Sequence, residues 1–300
     1  MNRLEAMSIL VAAAKAGSLS AAGRTLGLPL ATVSRKVSAL EAHLKTRLLT
    51  RSSRRLGLTD AGRAYVAACR RILEDVDEAE RAATGEFSLP KGELALTAPI
   101  VFGRLHVLPV ALEFLAAYPA IDMRITFADR TINLLEEQVD VALRIGELPD
   151  SSLVASRIGS IRRVVAASPA YFAARGTPKK PGDLEGHDCI AFEGMNSAAS
   201  WIFWSGKKPV SAPIRSRLVV NTAEAAIDAA IAGLGITRVF AYQAVRSLRK
   251  GTLVLALEQF EPPPSPVHLV HGGGLLPLKL RAFLDFAAPR LKARVVDSAI

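Results

Sequence analysis

Three hundred residues, half of them hydrophobic and 22% charged, can form two or more cored domains and exclude a disordered or fibrous chain. The +10 charge is concentrated: residues 1–73 carry 13 Lys+Arg against Glu5, Glu41 and Asp60, so the rest sums to zero. A basic module on a neutral body fits a phosphate-binding head and argues against a generally sticky protein.

The apolar spacing Leu4, Met7, Leu10, Val11, Ala14 predicts a first helix. Glu5 offsets Arg3 where a targeting peptide would be basic, and a membrane span needs about 20 apolar residues, so neither is expected. Residues 18–44 then hold two helical patterns. The first runs Ser20 to Leu26 with Ser20 as N-cap, and Gly27 stops it. The second puts Val33, Val37, Leu40 and Leu44 on one face, with Ala31, Arg35, Ser38 and Ala39 opposite, flanked by Thr32, Ser34 and Lys36. Short polar and basic side chains on an exposed face suit a duplex groove, as in a helix-turn-helix. An ordinary helical hairpin is the alternative, and the charge concentration weighs against it.

Leu48-Leu49 and Leu56 to Leu58 flank a basic tip containing Arg51, Ser53 and Arg54, which reads as a small hairpin or wing; a solvated loop is its rival. A long helix is expected from Thr59 to about Gly85. Tyr65, Cys69, Ile72, Val76, Ala79 and Ala83 form a narrow seam suited to pairing with a second copy, or to packing on its own domain. The segment 87–92 (FSLPKG) is the predicted hinge.

Beyond it, strand and helix signals alternate. Strands are expected at 93–97, 122–127, 139–145, 153–158, 163–167, 189–192, 201–204, 215–220, 236–239, 253–257 and 267–270. Helices are expected at 102–118, 132–138, 168–175, 222–232 and 277–291. This is an α/β chain with mostly parallel strands expected, and 262–266 (PPPSP) is a stiff connector.

These residues resemble the LysR-type transcriptional regulators. In the head the resemblance rests on Gly17-Ser18-Leu19-Ser20-Ala21-Ala22, Leu26-Gly27, Val33-Ser34-Arg35, Leu40-Glu41, Arg47-Leu48-Leu49 with Arg51, and Leu58-Thr59-Asp60-Ala61-Gly62. Further on it rests on Ala98-Pro99 with Phe102-Gly103, Asp140-Val141-Ala142 with Arg144-Ile145-Gly146, Ser168-Pro169-Ala170-Tyr171, and Gly233-Leu234-Gly235-Ile236. Departures are Gly23 for an Ala, Lys45 for a Gly, Leu30 for a polar helix start, and Arg238 within a usually small-apolar run.

The resemblance implies a winged helix-turn-helix at 1–59 (motif about 19–38), a linker and dimerisation helix at 60–87, and a two-lobed periplasmic-binding-protein-like effector domain at 91–300. Lobe I would comprise 91–160 and 268–300, and lobe II 163–266, with crossings near 159–163 and 264–268. It implies double-stranded DNA as partner, a small-molecule effector of carboxylate or aromatic type, a homodimer or homotetramer, a cytoplasmic setting, and RNA polymerase as a further partner.

DNA contacts are expected from Ser20, Leu30, Ala31, Thr32, Ser34, Arg35, Lys36, Arg51, Ser53 and Arg54. By resemblance, effector contacts would fall to Ala98, Pro99, Phe102, Gly103, Arg144, Gly146, Asn221, Thr222 and Thr237. No cofactor, metal or enzymatic activity is expected. Ser205 to Lys208 matches S-x-x-K without its companion motifs, Gly272 to Gly274 lacks a P-loop Lys, and His268 and His271 have no nearby ligand partner in sequence. A solute-binding protein or an enzyme on the same two-lobed scaffold, or a regulator without effector response, are the alternatives.

Overall fold

The computed structural model describes residues 2–51, 56–83, 89–130, 134, 137, 139–149, 152–192, 199–274 and 276–297. The head comprises α1 (Arg3–Ala16), α2 (Leu19–Leu26), α3 (Leu30–Leu44), the antiparallel strands β1 (Leu49–Arg51) and β2 (Leu56–Leu58), and α4 (Asp60–Ala83). Its core joins Ala6, Ile9 and Leu10 of α1 to Val33, Val37 and Leu40 of α3, with Val66 from α4.

Two local expectations shift. The buried face of α1 is Ala6, Ile9, Leu10 and Ala13, while Leu4 stays exposed, because the small Ala6 and Ala13 allow the closest helix approach. The α2 cap is Ser18, whose hydroxyl accepts from the Ala21 N–H at 3.4 Å. Gly17 turns left-handed at φ 62° and starts the helix earlier than Ser20 would.

Glycine departures have packing reasons. A Cβ at Gly23 would lie 2.8 Å from the Leu28 carbonyl oxygen. At Gly62, in the first turn of α4, it would lie 1.9 Å from the Leu48 carbonyl oxygen, a backbone atom fixed by Glu41, which accepts from the Leu48 and Leu49 N–H groups at 2.8 and 3.0 Å. Gly62→Ala is therefore expected to destabilise the head by about 1–3 kcal/mol or more. Thermal unfolding of the full chain measures it.

The remaining strands and helices, in chain order, begin with β3 (Gly92–Ala98), α5 (Ile100–Phe102), a π turn at Gly103–Val107, α6 (Leu108–Ala117), β4 (Ile121–Phe127), β5 (Val141–Ile145), β6 (Val154–Ile161), β7 (Arg163–Ala167) and α7 (Pro169–Arg175). Then come β8 (Asp188–Phe192), β9 (Ser200–Ser205), β10 (Lys208–Pro213), β11 (Arg215–Val220), α8 (Ala223–Ile231), β12 (Ile236–Phe240), α9 (Ala241–Arg249), β13 (Val254–Ala256), β14 (Ser265–His271) and α10 (Leu278–Asp297). Two five-stranded sheets result, ordered β4-β3-β5-β14-β6 and β11-β8-β12-β7-β13, with β9–β10 a separate hairpin. The chain passes from the first sheet to the second at Arg162 and returns between β13 and β14.

The expected parallel majority is corrected. β3–β4, β3–β5, β8–β11 and β8–β12 run parallel, whereas β5–β14, β6–β14, β7–β12 and β7–β13 run antiparallel. The strands at the two crossings enter and leave their sheets without the crossover helix that enforces parallel pairing.

α9 and β10 had no sequence expectation. α9 lacks a Ser, Thr, Asp or Asn N-cap; Gln243 accepts from the Phe240 N–H at 2.9 Å instead. β10 contains Pro209 and Pro213, tolerated because it pairs on one side only, with β9. α10 extends to Asp297 through Pro289, beyond the expected stop. The expected helix at 132–138 lies mainly outside the described residues.

The stretch Ile100–Ala117 is long and apolar enough to cross a membrane by composition. In this fold it is a core helix, burying Val101, Phe102, Val107, Val110 and Phe114.

Candidate DNA-reading face and inter-lobe cleft

α3 is held by its apolar back, which leaves the opposite face uncovered. Leu30 (52% exposed), Ala31 and Arg35 are exposed, with Thr32 and Ser34 half-buried beside them. Its N-cap, Pro29, makes no side-chain hydrogen bond, so the first amides of α3 are left to an external acceptor such as a phosphate. Arg35 has no hydrogen bond or ion pair among the described residues. Ser20 is exposed on α2, its hydroxyl 2.9 Å from that of Ser18.

Lys36 differs from expectation. Its ammonium donates to Glu5 of α1 at 2.5 Å, because α1 and α3 pack side by side and bring the acid into reach. Its charge is largely offset within the head. Arg51 ends β1 with its side chain outside the described residues, as are Ser53 and Arg54.

The second feature is a cavity of about 130 Å³ where the two sheets meet. Pro99, Asp129 and Ile145 line it on the β3–β5 side, facing Arg163, Phe192, Phe240, Tyr242 and Gln243. Of the expected effector contacts only Pro99 is in this lining. Ala98, Phe102 and Thr237 are fully buried core residues, and Thr237 donates to the Ile190 carbonyl at 3.4 Å. Gly103 is where the Phe127 ring packs, 2.3 Å from where a Cβ would be. Arg144 donates to the Leu143 carbonyl at 3.1 Å, and its charge meets Glu137 and Arg130. Gly146 turns at φ 114° and donates to the Pro266 carbonyl at 2.8 Å. Asn221 is exposed, and Thr222 caps α8 by accepting from the Ala225 N–H at 3.3 Å. At these positions the motif residues serve packing, turns and capping.

The groups that define the cleft chemically were missed. Arg163 opens β7 just after the crossing, its guanidinium 5.1 Å from the Phe240 ring centroid. Its Nε is buried without a hydrogen-bond partner among the described residues, and burial pushes its pKa down. Adjacent Arg162 is fully answered by Glu261, at 2.9 Å through both Nε and Nη2, with Glu258 at 3.4 Å. That network ties the two crossings together and leaves Arg163 as the cationic group of the cavity lining. The available signal was the Arg162-Arg163 pair at the crossing that the resemblance implied.

Across the cavity Asp129 accepts from the Ile100 N–H at 3.1 Å, and burial raises its pKa. Phe240 and Tyr242 stack with centroids 6.0 Å apart, and Gln243 donates to the Tyr242 hydroxyl at 3.4 Å. Among the described residues the cleft therefore offers an aromatic wall, one cation and one opposing acid. An apolar cavity of about 150 Å³ holds benzene, so the size scale of this one is that of a single small ring.

Arg238 is structural. It donates to the Ile202 carbonyl at 2.6 Å and lies 4.9 Å from the Phe203 ring centroid, fastening the β9–β10 hairpin to β12. Burial pushes its pKa down to about 9, with Arg163 adding to the effect.

His106 packs between Phe102 and Tyr242, at 4.6 and 5.7 Å, and burial pulls its pKa down to about 4. The unfolded chain, with a His pKa of about 6.5, binds the proton more readily. His106 thus contributes stability that is present above about pH 6.5 and lost as pH falls toward 4. His106→Leu is expected to flatten the acid limb of a stability–pH curve across that window, measured by denaturant titration.

Among the described residues no group of three or more His, Cys, Asp or Glu is placed to hold a metal.

Comparison with known proteins places both halves. The model described as bacterial regulatory helix-turn-helix protein, lysR family, matches residues 4–63, and that for the LysR substrate binding domain matches residues 88–292. A helix-turn-helix-type transcriptional regulator of Xanthomonas campestris is 37% identical over 288 residues, covering 94% of this chain and 84% of the relative. A helix-turn-helix-type transcriptional repressor of Pseudomonas aeruginosa is 35% identical over 289 residues, covering 95% and 91%. The solved structure of CrgA, a LysR-type transcriptional regulator from Neisseria meningitidis, aligns with a TM-score of 0.60 at 30% identity, covering 96% and 98%.

Proposed function

This chain belongs to the LysR family of bacterial transcriptional regulators, and we propose that it reads DNA with α3 as a pair joined through α4, under control of a small aromatic carboxylate bound between its lobes. The proposed division is a head at 1–59, a linker at 60–87 and an effector domain at 91–300. The setting proposed is the cytoplasm, without enzymatic activity and with RNA polymerase as the partner of the bound pair.

Several features support this reading. Arg35 extends from an uncapped helix with no partner among the described residues, flanked by the short side chains of Ala31, Thr32 and Ser34. Ile72 is 41% exposed and Val76 and Ala79 are incompletely covered, so the distal seam of α4 retains an apolar stripe for a second helix.

The observation that carries the effector class is Arg163. A guanidinium whose Nε is buried with no hydrogen-bond partner among the described residues is costly unless an anion completes it. The Phe240 and Tyr242 rings beside it select a flat apolar body. Asp129 opposite favours a hydrogen-bond donor on the far edge of that body.

Thermal shift of the full chain with benzoate, hydroxybenzoates and uncharged phenols tests the class. Stabilisation by the carboxylates and not by the phenols is expected. Equal shifts from both would reject an anion-reading Arg163.

A further inference from the structure

Lys279 at the start of α10 is only 7% exposed at its side chain, yet its ion-pair partner lies in the linker helix and not in its own lobe. Its ammonium donates to both carboxylate oxygens of Glu74 on α4, at 3.0 and 2.9 Å. Behind it lies Asp140, mostly buried, which accepts from the Ala95 N–H at 2.7 Å and is influenced by the Lys279 charge. Lys279 thus bonds the linker's carboxylate while lining a small cavity together with the lobe I carboxylate of Asp140. A small cavity of about 80 Å³ at this junction is lined by Arg70, Glu74, Glu93, Arg124, Asp140 and Lys279 together with apolar Ala67, Ala95, Leu134 and Val139, so the contact is of mixed polar and apolar character.

The two ends of α10 are placed differently. Its N-terminal end holds the linker, while Val295 near its other end packs where a Cβ on Gly159 would fall 2.6 Å away. Gly159 lies in β6, a few residues before the chain crosses between lobes at Arg162. Phe283, Ala287 and Leu291, between those ends, are fully buried in the lobe core. A single packed element therefore touches both β6, just before the inter-lobe crossing, and the linker helix.

We propose that the Glu74–Lys279 ion pair is a conformational latch that docks the linker helix on lobe I of the same chain and so fixes the angle at which the DNA-reading head is presented. Two heads on one two-fold site must meet half-sites about one duplex turn or a multiple apart, so a fixed angle favours the two-half-site complex. The latch does not touch the duplex, and a single half-site is indifferent to it. It holds whatever the chemistry of the effector, because it concerns the chain without ligand.

A double-mutant cycle on the full-length protein tests it, using a two-half-site duplex selected from a random pool by the wild-type chain and the corresponding single half-site. Glu74→Gln and Lys279→Met are each expected to weaken two-half-site binding by about fivefold or more, the lower end of ordinary coupling between sites. Both should leave half-site binding unchanged, and the double variant should be no weaker than either single. Hydrogen exchange in α4 beyond Cys69 should quicken in Glu74→Gln. Additive effects, equal losses on the half-site, or wild-type binding by both variants would each overturn the latch. Glu74 is 44% exposed at its side chain, so Glu74→Gln keeps the test open even where Lys279→Met folds poorly.

Discussion

Arg35→Ala is expected to cost about 1–3 kcal/mol of operator affinity and to relax preference at one base position, as loss of a bidentate base contact does. The expectation rests on its freedom: among the described residues no acid answers Arg35, and it lies on the face of α3 opposite the buried Val33, Val37 and Leu40. Lys36 provides the contrast within the same helix turn. Because Glu5 already holds its ammonium, Lys36→Ala should weaken binding less than Arg35→Ala. A gel-shift titration with the selected duplex compares them directly. Equal losses would mean that both side chains act on phosphates and that neither reads a base.

Arg163→Met has the largest effect expected on ligand binding. Removing one partner of a buried, hydrogen-bonded charge pair costs about 2–5 kcal/mol, so carboxylate binding should fall below detection by calorimetry. The chain itself should be no less stable, since the substitution removes a guanidinium whose Nε is buried without a hydrogen-bond partner among the described residues. Arg162→Met should behave in the opposite way. It breaks the ties to Glu258 and Glu261 at the two crossings, lowering stability while leaving the anion-reading group in place. A fall in carboxylate affinity for Arg162→Met equal to that for Arg163→Met would transfer the reading role from one guanidinium to the loop as a whole.

The head was largely legible from sequence because its signals are local. Periodicity located α3, and Gly27 ended α2. Even there, the α2 cap moved to Ser18 because Gly17 sets the backbone, and Lys36 is held by an acid 31 positions earlier in the chain. The Lys36 contact could not be read from nearest neighbours.

In the larger domain, single strands were legible but their pairing was not. β14 lies between β5 and β6, and β7 pairs with both β12 and β13, contacts set by two crossings far apart in sequence. The cleft was least legible for the same reason. Motifs marked Ala98, Phe102 and Gly103, which are well defined in sequence because they pack tightly. Arg163, Asp129 and Tyr242 carry no motif; they meet only once both lobes are folded against each other. The Glu74–Lys279 contact joins residues at opposite ends of the chain and has no sequence signal beyond two ordinary charges on two helices.

Operator affinity of the full chain, measured by fluorescence anisotropy with and without a saturating aromatic carboxylate, joins the reading face to the cleft in one experiment. The wild type should change affinity by about fivefold or more on adding the carboxylate. Arg163→Met should bind the duplex as the wild type does without ligand and show no change when it is added. A full response retained by Arg163→Met would contradict an effector held by that guanidinium between the lobes.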